Sequence, residues 1–363
     1  MKFSITKSEI FPRLQNVVGV VERKASKEVM SNLLFDATDS QIQITGTDSE
    51  VELQTTIAAT ITDAGKFTAP ARKLFDICKS MPDDVVLKFD FGEEKAILKA
   101  GKSRFTLATL SADDFPIADD LVDFVSVTLP QNHLATAINR TSFAMANQDA
   151  RYYLNGLLFQ IKDSELTCVG TDGHRLALSR AKVDGDVDDL SAIVPRKAII
   201  ELSRLIGDGT GDVTLKLSSN HMQVDIDDLQ FTSRLIDGKY PDFERVIPDD
   251  TDNISVIDSK ILKSALTRSS ILANETYKGV RLTFEKNSLG IQANNPKSEE
   301  AIDEIEAEYS GNDVEIGFNV TYLLDALNAA DVEFVSLKIK DGDSSLVINP
   351  DDQTTFIVMP VRL

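Results

Sequence analysis

The sequence predicts an α+β fold of three tandem homologous domains, each with two helices on one side and antiparallel strands on the other. Three observations predict it. First, one pattern recurs three times at a spacing of about 124 residues, as in 48→172→295 and 70→195→319, far longer than a solenoid repeat. Second, each copy holds two stretches of helical periodicity. Third, the remaining strand-like runs follow one another too closely for parallel crossovers, which leaves antiparallel pairing.

The elements follow in the same order in every copy. An amphipathic helix recurs around Leu14, Ile138 and Leu266. In the first copy Ile10, Phe11, Leu14, Val17, Val18 and Val21 make its apolar stripe, and Pro12 is tolerable only in a first turn. In the third, Ile261, Leu262, Ala265, Leu266 and Leu272 share one face, Lys260, Lys263, Thr267 and Ser270 another, and Asp258 is placed as N-cap. A strand then ends in a polar turn at Thr47-Asp48, Thr171-Asp172 and Asn294-Asn295. The second helix starts at Pro70, Pro195 or Asn319, residues suited to the first helical position or the cap. Short strands follow at 85–89, 95–98 and 105–107, and again at 213–217, 223–226 and 231–235. Phe105, Phe231 and Phe356 mark equivalent points in the last strand. Polar or acidic linkers at 119–126 and 248–254 divide the chain into domains 1–122, 123–251 and 252–363.

Composition narrows the function. With 363 residues, each domain is large enough for its own core. The two cysteines, Cys78 and Cys168, lie in different repeats, which argues for a reducing compartment rather than a disulfide framework. The N-terminus has no signal-peptide core, and no run reaches the length of a membrane span, so a cytoplasmic protein without membrane partners is expected. The acidic tracts 184–189 and 249–252 read as solvated loops; the first fails the calcium-loop pattern, with Asp189 where Gly is needed and Pro195 where Glu is needed.

Catalysis is the weaker class. His133, His174 and His221 have no metal-ligand spacing, and no nucleophile elbow, phosphate loop or dinucleotide fingerprint occurs. Asp172-Gly173-His174 has the groups for a general base, yet reads better as a turn or binding surface. No cofactor and no metal site are expected.

Charge distribution points elsewhere. The chain carries a net charge of −20, yet five of its six helical windows are net positive. If the helices lie together, they form a basic wall in an acidic protein, suited to a phosphate backbone. Two such chains joined head to tail close six similar domains around duplex DNA, because heterologous contacts make rings when the rotation closes. The alternative is a peptide-binding scaffold that does not encircle DNA.

Four segments carry a resemblance that covers the whole chain. Phe67-Thr68-Ala69-Pro70-Ala71-Arg72-Lys73, the run 148–156 (QDARYYLNG), the run 171–177 (TDGHRLA) and the terminal Val358-Met359-Pro360-Val361-Arg362-Leu363 are similar to the bacterial DNA polymerase III beta subunit family, the replicative sliding clamps. The resemblance implies a head-to-tail homodimeric ring of DNA-clamp domains, with helices lining the interior and sheets outside. It implies a non-catalytic processivity factor that holds double-stranded DNA without sequence preference. Its implied partners are the DNA polymerase III catalytic subunit, the clamp loader and other proteins with clamp-binding motifs.

Carried over by motif, the partner-peptide groove comprises Leu154, Thr171, Gly173, His174, Arg175, Leu176, Pro241, Arg245 and Val246, with Asn319, Tyr322, Ser345, Val358, Met359, Pro360, Val361 and Arg362. Such a groove suits short extended peptides with hydrophobic side chains. Val361 stands where relatives commonly have Met. The apolar C-terminal run 358–361 is expected to be exposed. DNA contacts carry over to Lys24, Arg72, Gln148, Tyr152 and Tyr153. Lys24 stands in place of a familiar Arg, which keeps the charge and loses the bidentate fork. The ring interface carries over to Lys73, Arg104, Phe105 and Leu107, facing Ile271, Leu272, Glu299, Glu300 and Asp303, with Ile302 at a position that is acidic in a relative.

Overall fold

The computed structural model describes residues 1–22, 27–92, 94–119, 121–184, 189–207, 209–248, 251 and 253–362. Lys24, residues 185–188 of the first acidic tract and residues 249, 250 and 252 of the second lie outside the described residues. Three copies of one strand-and-helix order follow along the chain. The first runs β1 (Lys2–Thr6), α1 (Lys7–Val20), β2 (Asn32–Thr38), β3 (Gln41–Thr47), β4 (Val51–Ala58), β5 (Thr60–Asp63) and β6 (Gly65–Pro70). It ends with α2 (Ala71–Lys79), β7 (Val86–Phe91), β8 (Lys95–Ala100) and β9 (Ser103–Ala108). The second runs β10 (Val125–Pro130), α3 (Gln131–Thr141), β11 (Gly156–Lys162), β12 (Glu165–Thr171), β13 (Arg175–Lys182) and β14 (Leu190–Pro195). It closes with α4 (Arg196–Ile206), β15 (Asp212–Leu217), β16 (His221–Ile226) and β17 (Leu229–Arg234). The third runs β18 (Ile254–Asp258), α5 (Ser259–Ser270), β19 (Gly279–Glu285), β20 (Ser288–Asn294), β21 (Glu300–Glu306), β22 (Glu308–Tyr309) and β23 (Val314–Asn319). It ends with α6 (Val320–Ala330), β24 (Phe334–Lys338), β25 (Leu346–Asp351) and β26 (Thr354–Val358).

Local chemistry sets the helix ends. Asp258 accepts from the amides of Lys260 and Ile261 at 2.8 and 3.0 Å, and Asn319 accepts from Thr321 at 2.9 Å, so both act as N-caps. One expectation fails at α1. A capping box, with the Thr6 amide donating to Glu9 Oε2 at 3.1 Å, starts this helix at Lys7. Pro12 therefore falls beyond the first turn, where it leaves the Ser8 carbonyl without its usual helical donor.

The described residues form two compact units, and the repeats share sheets inside each. Unit one, Met1–Asn132 with Ile200–Leu235, holds a sheet of order β5-β1-β7-β8-β9 and another of order β10-β15-β16-β17-β4-β3-β2-β6. In the second sheet β17 of repeat two pairs antiparallel with β4 of repeat one, from Leu229↔Thr55 to Ser233↔Val51. Unit two, His133–Ile199 with Ile236–Leu363, holds the orders β14-β11-β12-β13-β26-β25-β24-β18-β22 and β21-β20-β19-β23. There β26 of repeat three pairs with β13 of repeat two, from Arg175↔Val358 to Ser179↔Thr354. The hydrogen-bonded ladder thus runs without a break across each repeat seam.

Apolar side chains fill the cores of both units. Phe3, Phe35, Phe89 and Phe91 stack in the core of repeat one, with ring centroids 4.4–6.3 Å apart. Leu262, Leu266, Phe284, Phe318, Leu323, Leu327 and Phe356 share one buried cluster in unit two. A β-carbon on Gly46 would lie 2.8 Å from the Val17 carbonyl, and one on Gly170 would lie 2.5 Å from the Thr141 carbonyl. Helices α1 and α3 therefore approach their strands backbone to backbone. The third copy has buried Ala293 at this point, so it accommodates the methyl. Gly170→Ala is expected to destabilise the protein by roughly 1–3 kcal/mol through overpacking, read as a lower urea midpoint of the intact chain. An unchanged midpoint would mean that α3 moves away at no cost.

Candidate functional site

Side-chain hydrogen bonds to the backbone shape the turn between β12 and β13. The Thr171 hydroxyl donates to the Arg175 carbonyl at 2.6 Å and accepts from the Gly173 amide at 3.1 Å. Asp172 Oδ1 accepts from the amides of His174 and Arg175 at 2.9 and 3.1 Å. Gly173 has φ +87, a left-handed conformation that glycine adopts freely.

Arg175 ties this turn to the third repeat. Its Nε donates to Asp172 Oδ2 at 3.0 Å, its Nη1 to Asp325 Oδ2 at 2.6 Å and its Nη2 to the Phe143 carbonyl at 2.9 Å. The guanidinium lies over the rings of Tyr322 and Phe143, 4.7 and 5.3 Å from their centroids. Its side chain is only 12% exposed, so these partners replace water and fix the charge. The His174 ring stacks on Tyr322 at 6.3 Å between centroids. Burial, reinforced by Asp172, pushes the Tyr322 hydroxyl pKa up.

The apolar side of the site is equally defined. Leu176 is buried with Leu158, Val169, Leu178, Ile193, Tyr240, Phe243 and Ile357, and Tyr153, Ile236 and Ile247 pack against them. The Tyr240 hydroxyl donates to the Val169 carbonyl at 3.1 Å, and burial raises its pKa. Pro241, Arg245 and Val246 lie exposed beside Tyr240 and Phe243, with Arg245 paired to Asp242 at 2.7 Å. The C-terminal segment is held at two points. The Met359 amide donates to the His174 carbonyl and the Val361 amide to the Gly317 carbonyl, both at 2.9 Å.

The structure thus brings Thr171, Gly173, His174, Arg175, Leu176, Tyr322, Met359 and Val361 into one region. Val358 departs from expectation: it is 1% exposed, because β26 pairs with β13 on one side and β25 on the other and turns this side chain into the core. Only Met359, Pro360 and Val361 are half-buried, and Arg362 is exposed. Leu154 is buried, and Asn319 spends its side-chain oxygen on the α6 cap. Ser345 lines a cleft with Lys338, Asn349 and Ile247, the last of which also packs against the Leu176 cluster. Asp325 and Phe143, which hold Arg175, were not anticipated. Asp325 lies one helical turn from Tyr322 on α6, a spacing that puts both on one face.

Of the remaining predicted residues, Tyr153 packs against the Leu176 cluster and the others lie elsewhere. In unit two, Gln148 is exposed with φ +57, Tyr152 is 58% exposed, and half-buried Tyr153 meets it edge to face at 5.8 Å. Arg72 and Lys73 are exposed in the first turn of α2, in unit one. Arg104, Phe105 and Leu107 lie on β9, the outermost strand of its sheet. Asp303 and Glu300 lie on β21, likewise outermost in its own sheet, next to Ile302 at 73% exposure. Arg268 of α5 binds Asp303 at 2.5 Å, and Ile271 just beyond that helix is 77% exposed. Leu272 is half-buried, and Glu299 is exposed and accepts from Asn295 at 2.6 Å.

Comparison with known proteins finds the N-terminal, central and C-terminal domains of the DNA polymerase III beta subunit at residues 1–119, 128–242 and 244–362. The chain belongs to the DNA polymerase III beta subunit family. It is 45% identical over 367 residues to the beta sliding clamp of Pseudomonas putida and 40% identical over 366 residues to that of Escherichia coli K12, covering 100% of both chains in each case. Among solved structures it resembles the Pseudomonas aeruginosa subunit beta with a TM-score of 0.97 at 44% identity, with full coverage of both chains. A griselimycin-bound clamp from the same organism gives 0.96 at 44% identity, again over the whole of both chains. Within this family's fold the Arg175 cluster is a local stability element. Arg175→Ala leaves Asp172 Oδ2, Asp325 Oδ2 and the Phe143 carbonyl without the guanidinium, while Asp172 Oδ1 keeps its two amides, and is expected to cost roughly 3 kcal/mol, measured as a fall in the urea midpoint. No fall would show that water replaces the guanidinium without penalty.

Proposed function

We propose that this chain acts as a DNA sliding clamp: two copies close head to tail around duplex DNA, and each presents the groove of unit two to partner proteins. The observation that carries this reading is a pair of strand edges that no strand among the described residues pairs with. Strands β9 and β21 end their sheets, and they are the counterparts of strands that pair at the two repeat seams. β9 corresponds to β17 and β26, and β21 corresponds to β4 and β13.

Register follows from the repeat. Phe231 pairs with Leu53 and Phe356 with Ala177. Leu53 and Ala177 lie opposite Gly46 and Gly170 in their own hairpins, and Ala301 lies opposite Ala293. Phe105 therefore meets the partner subunit's Ala301, and Arg104 meets the partner subunit's Ile302. This brings basic and apolar residues of β9 against the apolar and acidic residues of β21 and the end of α5. An exposed edge strand with Ile302 and Ile271 beside it is an aggregation hazard unless a specific partner covers it. A closed dimer covers both edges of both chains.

In this reading the domains span 1–122, 123–251 and 252–363. The subunit is non-catalytic and needs no cofactor. Arg72, Gln148, Tyr152, Tyr153 and Lys24 meet the duplex through its phosphates, without reading bases. The partners are the polymerase III catalytic subunit, the clamp loader and other proteins with extended apolar motifs. After loading, the protein is expected to stay on a nicked circular plasmid through gel filtration and to leave when the circle is cut. Equal retention on circle and linear DNA would remove topological holding.

A further inference from the structure

The turn that carries His174 occurs twice, and the two copies differ in a way that folding does not require. At the seam in unit one, the Thr47 hydroxyl donates to the Val51 carbonyl at 2.9 Å and accepts from the Ser49 amide at 3.1 Å. Asp48 Oδ1 accepts from the amides of Glu50 and Val51 at 2.9 and 2.8 Å. The Arg234 amide donates to the Glu50 carbonyl at 3.0 Å, the counterpart of the bond from Met359 to His174. This copy forms the same frame with Val51 where the other has Arg175. Its left-handed position is a serine, Ser49 at φ +75, where the other has Gly173.

Gly173 eases the left-handed backbone and also leaves room for a neighbouring side chain. A β-carbon on it would lie 3.0–3.1 Å from the two Nη atoms of Arg151. That guanidinium is clamped on Asp149, with Nε and Nη2 donating at 3.0 and 2.9 Å, and Nη2 also donates to the Asp172 carbonyl at 3.0 Å. Arg151 sits between Gln148 and the Tyr152–Tyr153 pair on one side and the His174 turn on the other. From Asp172 the chain of contacts continues through Arg175 to Asp325 and Tyr322. The Arg151 side chain is 48% exposed, so a phosphate at this loop can reach its donors.

We propose that Arg151 is a positioning residue that couples the DNA-contacting loop to the peptide groove, a coupling that rests on the function proposed above. A duplex phosphate beside Gln148 and Tyr152 draws the guanidinium off the Asp172 carbonyl. The turn carrying Gly173 and His174 then loses its tether, and peptide affinity falls. Linkage makes the effect reciprocal, so a seated peptide weakens the hold on the duplex by the same factor.

The test is a fluorescence-anisotropy titration of a short labelled peptide with Leu and Phe at alternate positions. It is run on the full-length protein at low salt, with and without saturating blunt duplex. Wild type is expected to lose about five-fold or more in peptide affinity when duplex is added, the low end of ordinary coupling. Arg151→Ala removes the tether, and Gly173→Ser crowds the guanidinium, whose Nη atoms lie 3.0–3.1 Å from the new β-carbon, while keeping a residue that the equivalent turn accepts. Each variant is compared only with itself, with and without duplex, so a general loss of affinity cancels. Both variants are expected to abolish the duplex-dependent shift while remaining folded by circular dichroism. If wild type binds both ligands and its peptide affinity ignores the duplex, or if the variants keep the full shift, the coupling is wrong. A wild type that binds no duplex with open ends at low salt overturns the coupling alone, because topological holding itself predicts release from open ends. A wild type that binds no peptide overturns the functional reading and the coupling with it.

Discussion

Antiparallel pairing across the repeat seams is the constraint on which the rest of the structure depends. An edge strand exposes a row of backbone donors and acceptors whose burial without partners is costly. In each unit this need is met by the next repeat: β17 closes the edge of β4, and β26 closes the edge of β13. The repeats are therefore welded into continuous sheets rather than strung on linkers. The one seam that a single chain does not make, between β9 and β21, leaves the requirement outstanding at one sheet edge in each unit.

The weld also explains why a partner site arises where it does. Joining β13 to β26 sets the turn after β12 beside the C-terminal segment and α6, so a backbone bond from Met359 reaches His174. The same join at the first seam sets Arg234 beside Glu50. One frame thus appears twice with different side chains. The second copy carries His174, Arg175 and the stacked Tyr322, and the first carries Glu50 and Val51 with His221 and Arg234 lining the cleft beside them. Duplication supplied two sites of equal backbone geometry, and side-chain divergence made them chemically different.

What the sequence revealed follows the range of the interactions involved. The repeat period, the N-caps at Asp258 and Asn319 and the strands around Phe105, Phe231 and Phe356 depend on neighbours a few residues away, and they were legible. Pro12 was misplaced because the capping box that starts α1 earlier involves Thr6 and Glu9, outside the apolar stripe. Val358 looked like part of an exposed tail because its burial depends on pairing with Arg175, far away in sequence. The groove residues were reached through family motifs. The groups that hold Arg175 in place, Asp325 and Phe143, emerge only when the third repeat folds against the second. Arg151 stood inside a recognised motif, yet its link to Asp172 depends on a turn whose shape no local pattern discloses.

The central claim is that β9 and β21 complete a third seam in the register of the other two. Arg104→Cys combined with Ile302→Cys tests it directly. Facing residues of antiparallel strands have Cα atoms about 4.5–5.5 Å apart, within the span of a disulfide. The native Cys78 and Cys168 are buried and do not compete. Mild oxidation should convert the protein into a covalent closed dimer, seen as one band of twice the chain mass on a non-reducing gel. A persistent monomer, or a ladder of longer polymers, would contradict closure in this register.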